Sequence, residues 1–391
     1  MISTIIIFLL VLTLLIFVHE LGHFLASKLF GIRVDEFAIG FPPRLFHFML
    51  GKTRFALNII PLGGYVKIHG ENPEDEMAPD SILAKPKWQQ IVVLIAGVTF
   101  NIILAYILLV ATLSIGTKVS VDTFPGEIVT NPKLIITMVA PGSPADLSGV
   151  KPGDEILSIS NGKDLFASTS LSVLNVQKTI STAATTVSLT VKRTTDKVVV
   201  PATSTSTFQV GTAEGTSTVT STIVEGRAFK ITPVAGIVPG KKAAGISMDM
   251  IGEAKIGFFK SLYYAGIQTY NLLENITIGL GSFIGSIFVG KASLNEVAGP
   301  VGIASVVGNS ARSGIADLLM IIAVISANLA VINMVPFPAL DGGRVVVVII
   351  EAIIRRPINS KIIGWVNGIG FILLIGLMIV VTFKDVFYMF K

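Results

Sequence analysis

The sequence predicts a polytopic α-helical membrane protein of about four transmembrane helices, with a soluble, β-rich domain inserted between the second and third. Three observations predict it. Of 391 residues, 51% are hydrophobic and only 14% charged, against roughly 25% charged in a soluble globular chain. Four apolar stretches, at about 4–30, 90–116, 318–340 and 363–383, are long enough to cross a bilayer, which takes about 20 residues. Residues 134–200 alternate short β-rich runs, such as Ile135–Val139 and Val187–Val191, with turn signals. The expected division is 1–116, a first membrane part; 117–250, the inserted region; and 251–391, a second membrane part.

The first stretch reads as a retained helix rather than a signal peptide, because no Lys or Arg precedes Lys28 and no small-residue cleavage site follows. A fifth apolar stretch, 256–289, is interrupted by Gly, Ser, Asn and Lys and reads as amphipathic or interfacial. Segment 31–70 carries Arg33, Arg44, Lys52, Arg54 and Lys67 against Asp35 and Glu36, and Arg344, Arg355, Arg356 and Lys361 lie between the third and fourth spans. Basic residues in short loops mark the cytoplasmic side, so both termini and the inserted domain are expected to be extracytoplasmic. The formal net charge of +5 is read as this orientation signal, with no nucleic-acid partner. The absence of cysteine excludes a disulfide framework and any Cys-based zinc site or nucleophile.

The strongest chemical signal is His19-Glu20-Leu21-Gly22-His23. In a helix, positions i and i+4 are about 40° apart in rotation and about 6 Å apart along the axis, so both imidazoles reach one tetrahedral Zn²⁺. Glu20 then lies beside the metal as a general base for water. The motif follows a nearly all-apolar run, Ile5–Val18. Each ionisable group costs a few kcal/mol to insert there and defaults to a functional role. A catalytic zinc takes three protein ligands and leaves one position for water. Asp341, in Asn333-Met334-Val335-Pro336-Phe337-Pro338-Ala339-Leu340-Asp341-Gly342-Gly343, is a candidate third ligand. Two prolines break that apolar segment, and irregular backbone at membrane depth lines a cavity or is buried in protein. From the pattern alone Asp341 reads equally as a helix cap or turn residue. His47 and His69 read as ordinary loop residues.

These motifs resemble those of the site-2 protease family of intramembrane zinc metallopeptidases, above all its bacterial RseP-type branch, the regulators of sigma-E. Asn333–Gly342 matches the family's Asn-x-x-Pro-x-Pro-x-Leu-Asp-Gly motif at every defined position. The resemblance implies that Asp341 completes the ligand set for one Zn²⁺ per chain and that Asn333 positions substrate. Pro61-Leu62-Gly63-Gly64-Tyr65-Val66 is similar to the family's membrane-associated β-loop, which implies that Gly63, Gly64 and Tyr65 hold the substrate as an added strand. Ala96-Gly97 with Asn101 resembles the second-span motif, with Val98 where Pro is common. Phe37–Pro43 resembles a family loop in which Pro42 replaces a Gly, and Gly299-Pro300-Val301-Gly302-Ile303 matches a short motif before the third span.

Gly142-Ser143-Pro144-Ala145 and Gly149–Leu157 resemble a bacterial PDZ domain, a small β-barrel with two helices that binds extended peptide ends. One such domain is expected, at about 133–203. The Thr/Ser-rich stretch 202–223 reads as a linker or an edge hairpin. The activity implied is cleavage of transmembrane segments in the bacterial inner membrane, as in regulated intramembrane proteolysis of anti-sigma factors or removal of remnant signal peptides. The partners implied are transmembrane substrates, the lipid bilayer and a peptide ligand for the PDZ-like domain. Two rival readings are a membrane scaffold with a structural metal, for which Glu20 has no use, and a metal transporter, which needs ionisable residues at the centres of several spans.

Overall fold

The computed structural model describes residues 2–70, 78–122, 128–140, 142–167, 170–193, 209–210, 217–218, 226–238, 241–290 and 298–389. The chain begins with α1 (Ile2–Leu29), β1 (Val34–Leu50), β2 (Thr53–Ile68) and α2 (Lys87–Ile115). An inserted unit follows: β3 (Thr117–Ser120), β4 (Val129–Val139), α3 (Pro144–Leu147), β5 (Glu155–Ser160), β6 (Leu165–Ala167), α4 (Val173–Thr182), β7 (Val187–Lys192), β8 (Gln209–Val210), β9 (Ser217–Thr218), β10 (Arg227–Ile231), β11 (Val234–Val238), β12 (Lys241–Ala243) and β13 (Ile246–Ala254). The chain ends with α5 (Phe258–Phe288), α6 (Pro300–Ser313), α7 (Ile315–Met334), α8 (Asp341–Ile354) and α9 (Ser360–Met389). Two compact units result, Met1–Gly116 with Ile256–Lys391, and Thr117–Lys255. The second unit runs past the expected boundary at 250 because β13 continues in the sheet to Ala254.

In the helical unit, α1, α2, α7 and α9 are long and apolar enough to cross a membrane. The third span ends at Met334 rather than at 340. Pro336 and Pro338 lack the N–H that would continue the helix, and Asp341 opens a separate helix, α8. The fifth apolar stretch forms the single helix α5, with a buried stripe of small residues, Ser261, Ala265 and Thr269, one every four positions. This stripe lets α5 approach α2. Ser114 Oγ donates to Ser261 Oγ at 3.0 Å and the Tyr106 hydroxyl to the Leu262 carbonyl at 3.1 Å. The opposite side of α5 exposes Tyr263, Tyr270 and Ile278. At the start of α6, the Gly302 N–H donates to Asp385 of α9 at 2.8 Å. A Cβ at Gly299 or Gly302 would meet that carboxylate at 2.8 and 3.0 Å, which explains the glycine spacing of that motif.

β1 and β2 pair antiparallel and fold back on themselves. Residues 36–39 of β1 are flanked on both sides by β2, with Phe37 facing Val66 on one side and Phe55 on the other, and Ile39 facing Gly64 and Leu57. The last part of β1 pairs separately, His47 with Ala56. Of the two histidines expected in loops, His47 is in a strand instead, and His69 is in a turn as expected. His47 lies in β1, and His69, just after β2, is buried, with Arg33 Nη2 2.7 Å from its Nδ1.

The inserted unit is built on one sheet in the order β10-β7-β5-β4-β13-β3, with β6 on the edge of β5. Strand β7 alternates buried Val187, Leu189 and Val191 with outward residues, the period of two that a sheet with one covered face requires. Its core gathers Ile136, Val150, Ile159 and Val176. The buried Asp154 receives Nε and Nη2 of Arg193 at 2.7 Å each and the Lys151 N–H at 2.9 Å, fixing the turn of the Lys-Pro-Gly-Asp motif. The end strands β10 and β3 do not pair among the described residues, which form a sheet without a closed barrel. Strands from 227–254 complete it, which extends the unit well beyond 203. Within 202–223, Gln209–Val210 pairs antiparallel with Ser217–Thr218. The rest of that stretch, and 194–203, lie outside the described residues.

Candidate metal centre

The buried side of α1 carries Val11, Leu15, His19, Gly22, His23 and Ala26. This is the three-to-four spacing of one helical face, so the histidines occupy the stripe that also forms the packing seam. The face meets α2 at close range because two glycines lack side chains. A Cβ on Gly22 would collide with the Ala96 carbonyl, and one on Gly97 would collide with His23 Nε2 and lie 2.9 Å from His19 Nε2. Gly97 is thus the floor under both donor nitrogens.

Three donor atoms converge. His19 Nε2 lies 3.2 Å from His23 Nε2, and Asp341 Oδ2 lies 3.0 Å from the first and 3.4 Å from the second. Both histidines are buried and Asp341 is nearly so. Asp341 reaches them because it is the first residue of α8, and the chain between α7 and α8 turns tightly. Ala339 has φ 73°, its N–H donates to Asn367 Oδ1 of α9 at 3.2 Å, and a Cβ on Gly342 or Gly343 would strike the carbonyls of Met334 or Phe337.

Each imidazole is held by its other nitrogen. His23 Nδ1 donates to the Val93 carbonyl at 2.8 Å, which leaves Nε2 as a lone pair facing the cluster. His19 Nδ1 lies 3.1 Å from the Asn101 side-chain amide, and Asn101 Oδ1 is otherwise buried without a partner. With the amide turned so that Oδ1 accepts from Nδ1–H, both conditions are met: the oxygen is satisfied and His19 Nε2 also becomes a lone pair. Ser326 Oγ of α7 donates to the Asn101 carbonyl at 2.8 Å, tying a third helix to the same point.

Glu20 sits at the edge of this cluster, half-buried, with its carboxylate taking a hydrogen bond from the backbone of Val66 in β2. Strand β2 runs beside α1. Thr13 Oγ1 donates to the Pro61 carbonyl at 3.3 Å, a Cβ added to Gly64 would come within 3.7 Å of Ile16, and Val66 meets Glu20. Gly63, Gly64 and Tyr65 therefore lie on the strand that leads to the carboxylate. The Tyr65 hydroxyl bonds to Glu36 and Arg44, and burial, then the Glu36 charge, pushes its pKa up. Glu36 in turn takes Arg44 Nη2 at 2.6 Å. Asn333 lies in the last turn of α7, half-buried.

Residues 7–377 match the model of peptidase family M50. The chain belongs to peptidase family M50. Relatives named as zinc metalloproteases match it over nearly their whole length. It is 36% identical over 385 residues to a protein of Clostridium perfringens named as a zinc metalloprotease, covering 96% of each chain. A protein of Synechocystis sp. so named is 33% identical, over 96% of this chain and 92% of its own. One from Fusobacterium nucleatum is 32% identical over 97% of both. The chain is a membrane zinc metalloprotease of site-2 type.

The M50 cofactor, Zn²⁺, is compatible with the geometry of this cluster. A tetrahedral ion with bonds of about 2.0–2.1 Å holds its donors about 3.3 Å apart, and the three separations here bracket that value. Two lone-pair nitrogens and a carboxylate oxygen within 4.8 Å of one another repel unless a cation lies between them. Three groups support this cluster from α2: the Val93 carbonyl, Gly97 and Asn101. A backbone carbonyl has no signature at all. Gly97 and Asn101 belong to the second-span motif, and the spacing 93, 97, 101 places all three on one face of α2.

Proposed function

We propose that this chain is an intramembrane endopeptidase of the RseP-type branch, hydrolysing a peptide bond within a transmembrane segment at the bacterial inner membrane. His19, His23 and Asp341 hold one zinc, and Glu20 is the general base. The observation that carries the reading is the convergence of three donor atoms with a fourth, non-ligating carboxylate beside them, on a helix apolar enough to span a bilayer. A structural site has no use for that carboxylate, and usually closes with four protein ligands. Zinc held there supplies a water acidified to about pKa 7 and a Lewis acid for the scissile carbonyl.

Glu20 takes the proton of the attacking water and delivers it to the departing amine, while the Val66 backbone keeps its carboxylate turned to the cluster. A substrate helix must unwind before attack, because its carbonyls are otherwise engaged in i to i−4 bonds. The segment Gly63–Tyr65 receives the unwound backbone as an added strand, and Asn333 anchors it from the α7 side. The inserted unit is an extracytoplasmic PDZ-like module that takes extended peptide along the outer edge of β13. Substrates of this class include anti-sigma factors and remnant signal peptides.

The test compares the purified chain with Glu20→Gln on a model transmembrane peptide in detergent. The expected outcome is zinc-dependent cleavage by the wild type and none by the variant, with one zinc bound to each. Equal cleavage by both proteins would sink the mechanism.

A further inference from the structure

A second cleft lies in the inserted unit, between α4 and the start of β13, with a volume of about 540 Å³. Its apolar floor is Ile180 of α4 with Ile246 and Met248 of β13, and the exposed Leu174 of α4 also lines it. Here β13 offers a free edge. β4 pairs one side of it along its length, but β3 covers the other side only from Ile251 to Ala254. Alongside Ile246–Asp249 that outer side has no strand partner among the described residues. An unpaired strand edge beside an apolar floor accepts an extended backbone, not a rigid helix.

The rim is what sets the partner's chemistry. The charged residues lining the cleft are Lys178 on α4 and Lys241 and Lys242 on β12. Among the described residues no acidic side chain lines it, and no ion pair involves any of the three. Lys242 is held in place, its Nζ donating to the Ala183 carbonyl at 3.0 Å at the end of α4, and carbonyl dipoles orient its charge without cancelling it. Lys178 and Lys241 are exposed and line the cleft. Three cations around a strand-accepting edge favour anionic side chains spaced along an extended segment. We infer that this cleft selects extended peptide segments rich in Asp and Glu. The inference rests on the peptide-binding reading of the inserted unit given above. The free edge and apolar floor favour a peptide over an anionic lipid surface, which offers no backbone to pair.

The test uses the full-length Glu20→Gln chain in neutral detergent, so that nothing is cleaved, and three fluorescent ten-residue peptides identical except for three Glu, three Gln or three Lys. Anisotropy should give about tenfold tighter binding of the Glu peptide than the Gln peptide, a preference that fades in about 1 M salt, where charges are screened within about 3 Å. The double substitution Lys178→Glu with Lys241→Glu changes exposed side chains only, and should shift the preference to the Lys peptide. Equal binding of the Glu and Gln peptides would overturn the charge selectivity while leaving the peptide site intact. Binding of none of the three would overturn the peptide reading and the inference with it. A Glu preference that survives the double substitution would place the selectivity elsewhere. Complete displacement of the Glu peptide by micelles containing an anionic phospholipid would make the lysines a lipid contact.

Discussion

Helices α2 and α9 are nearly indistinguishable as apolar sequences, of 29 and 30 residues and with mean hydropathy 2.6 and 2.5 in their spanning windows. Their surroundings are opposite. α2 packs against α1, α5, α7 and α8 and buries Gln90, Val93, Gly97, Asn101, Ala105 and Leu109. In α9, Val381 is the one apolar side chain buried among the described residues, and Gly364, Gly368 and Gly376 face open space. Hydropathy identifies a span, because it measures the cost of leaving lipid. It does not identify the central helix, because lipid and protein interiors are equally apolar. Small and polar residues recurring on one face do identify it, since only a neighbouring helix can satisfy them.

The largest expected effect is on the α2 side of this comparison. Gly97→Ala puts a methyl group against both donor nitrogens. The backbone of two packed helices would have to part to admit it. Zinc content by atomic absorption should fall to near zero and cleavage with it, while secondary structure by circular dichroism stays intact. Full zinc occupancy in Gly97→Ala would mean that α1 and α2 stand farther apart than described.

Asn101→Leu is the next test. It keeps the volume but removes the group that orients His19. Loss of such a partner of a metal ligand typically weakens metal binding about 10–100-fold, and competition with a chelator should read a shift in that range. Asn101→Asp, which still accepts from Nδ1–H, should recover most of it. If the Leu and Asp variants behave alike, the contact matters for packing only.

These two residues also show how legibility divides. His19 and His23 could be read directly, since their spacing is the helix period itself. Asp341 could be read only with the help of a motif, because nothing in its neighbourhood says that α8 will return to α1 across 322 positions. The role of Asn101 was illegible for a similar reason: a lone Asn in an apolar run announces a partner but not which one. The sheet of the inserted unit was under-read past residue 203, because β13 finds β4 across more than a hundred positions and its short runs carry no local pairing signal. The burial of His69, in the turn after β2, is not legible either, because it comes with contacts to Arg33 and Asp35, which lie far back in the sequence.

A third, smaller effect concerns how α2 holds α8. Lys87 Nζ lies 2.6 Å from Glu351 Oε2, and Glu351 also accepts from the Ile358 N–H at 2.9 Å. Glu351 stands on the helix that Asp341 opens, so the pair fixes the helix carrying Asp341 against the helix that orients both histidines. Breaking a buried pair from one side costs about 3–5 kcal/mol, but Lys87 is 35% exposed and water screens it, so about 1–2 kcal/mol is expected. Glu351→Gln should lower the melting temperature in detergent and loosen zinc modestly. The double change Lys87→Met with Glu351→Leu should restore much of the stability, since no unpaired charge remains. A double variant as unstable as the single one would show that the backbone contact to Ile358 is what counts.

The smallest expected effect is on α9. Gly368→Ala adds a methyl group where no atom lies within 4 Å, and in a helix interior alanine is favoured over glycine by about 1 kcal/mol. The helix should therefore gain slightly, with zinc content and cleavage unchanged and the melting temperature level or a little higher. Gly370→Ala, two positions on, is the internal contrast, because its Cβ would meet the Pro338 carbonyl at 2.7 Å, inside the turn that delivers Asp341. That variant should lose zinc where its neighbour does not. Identical behaviour of the two would mean that α9 does not support the turn, and the Asn367 contact to Ala339 would then be the only described hydrogen bond from α9 to that turn.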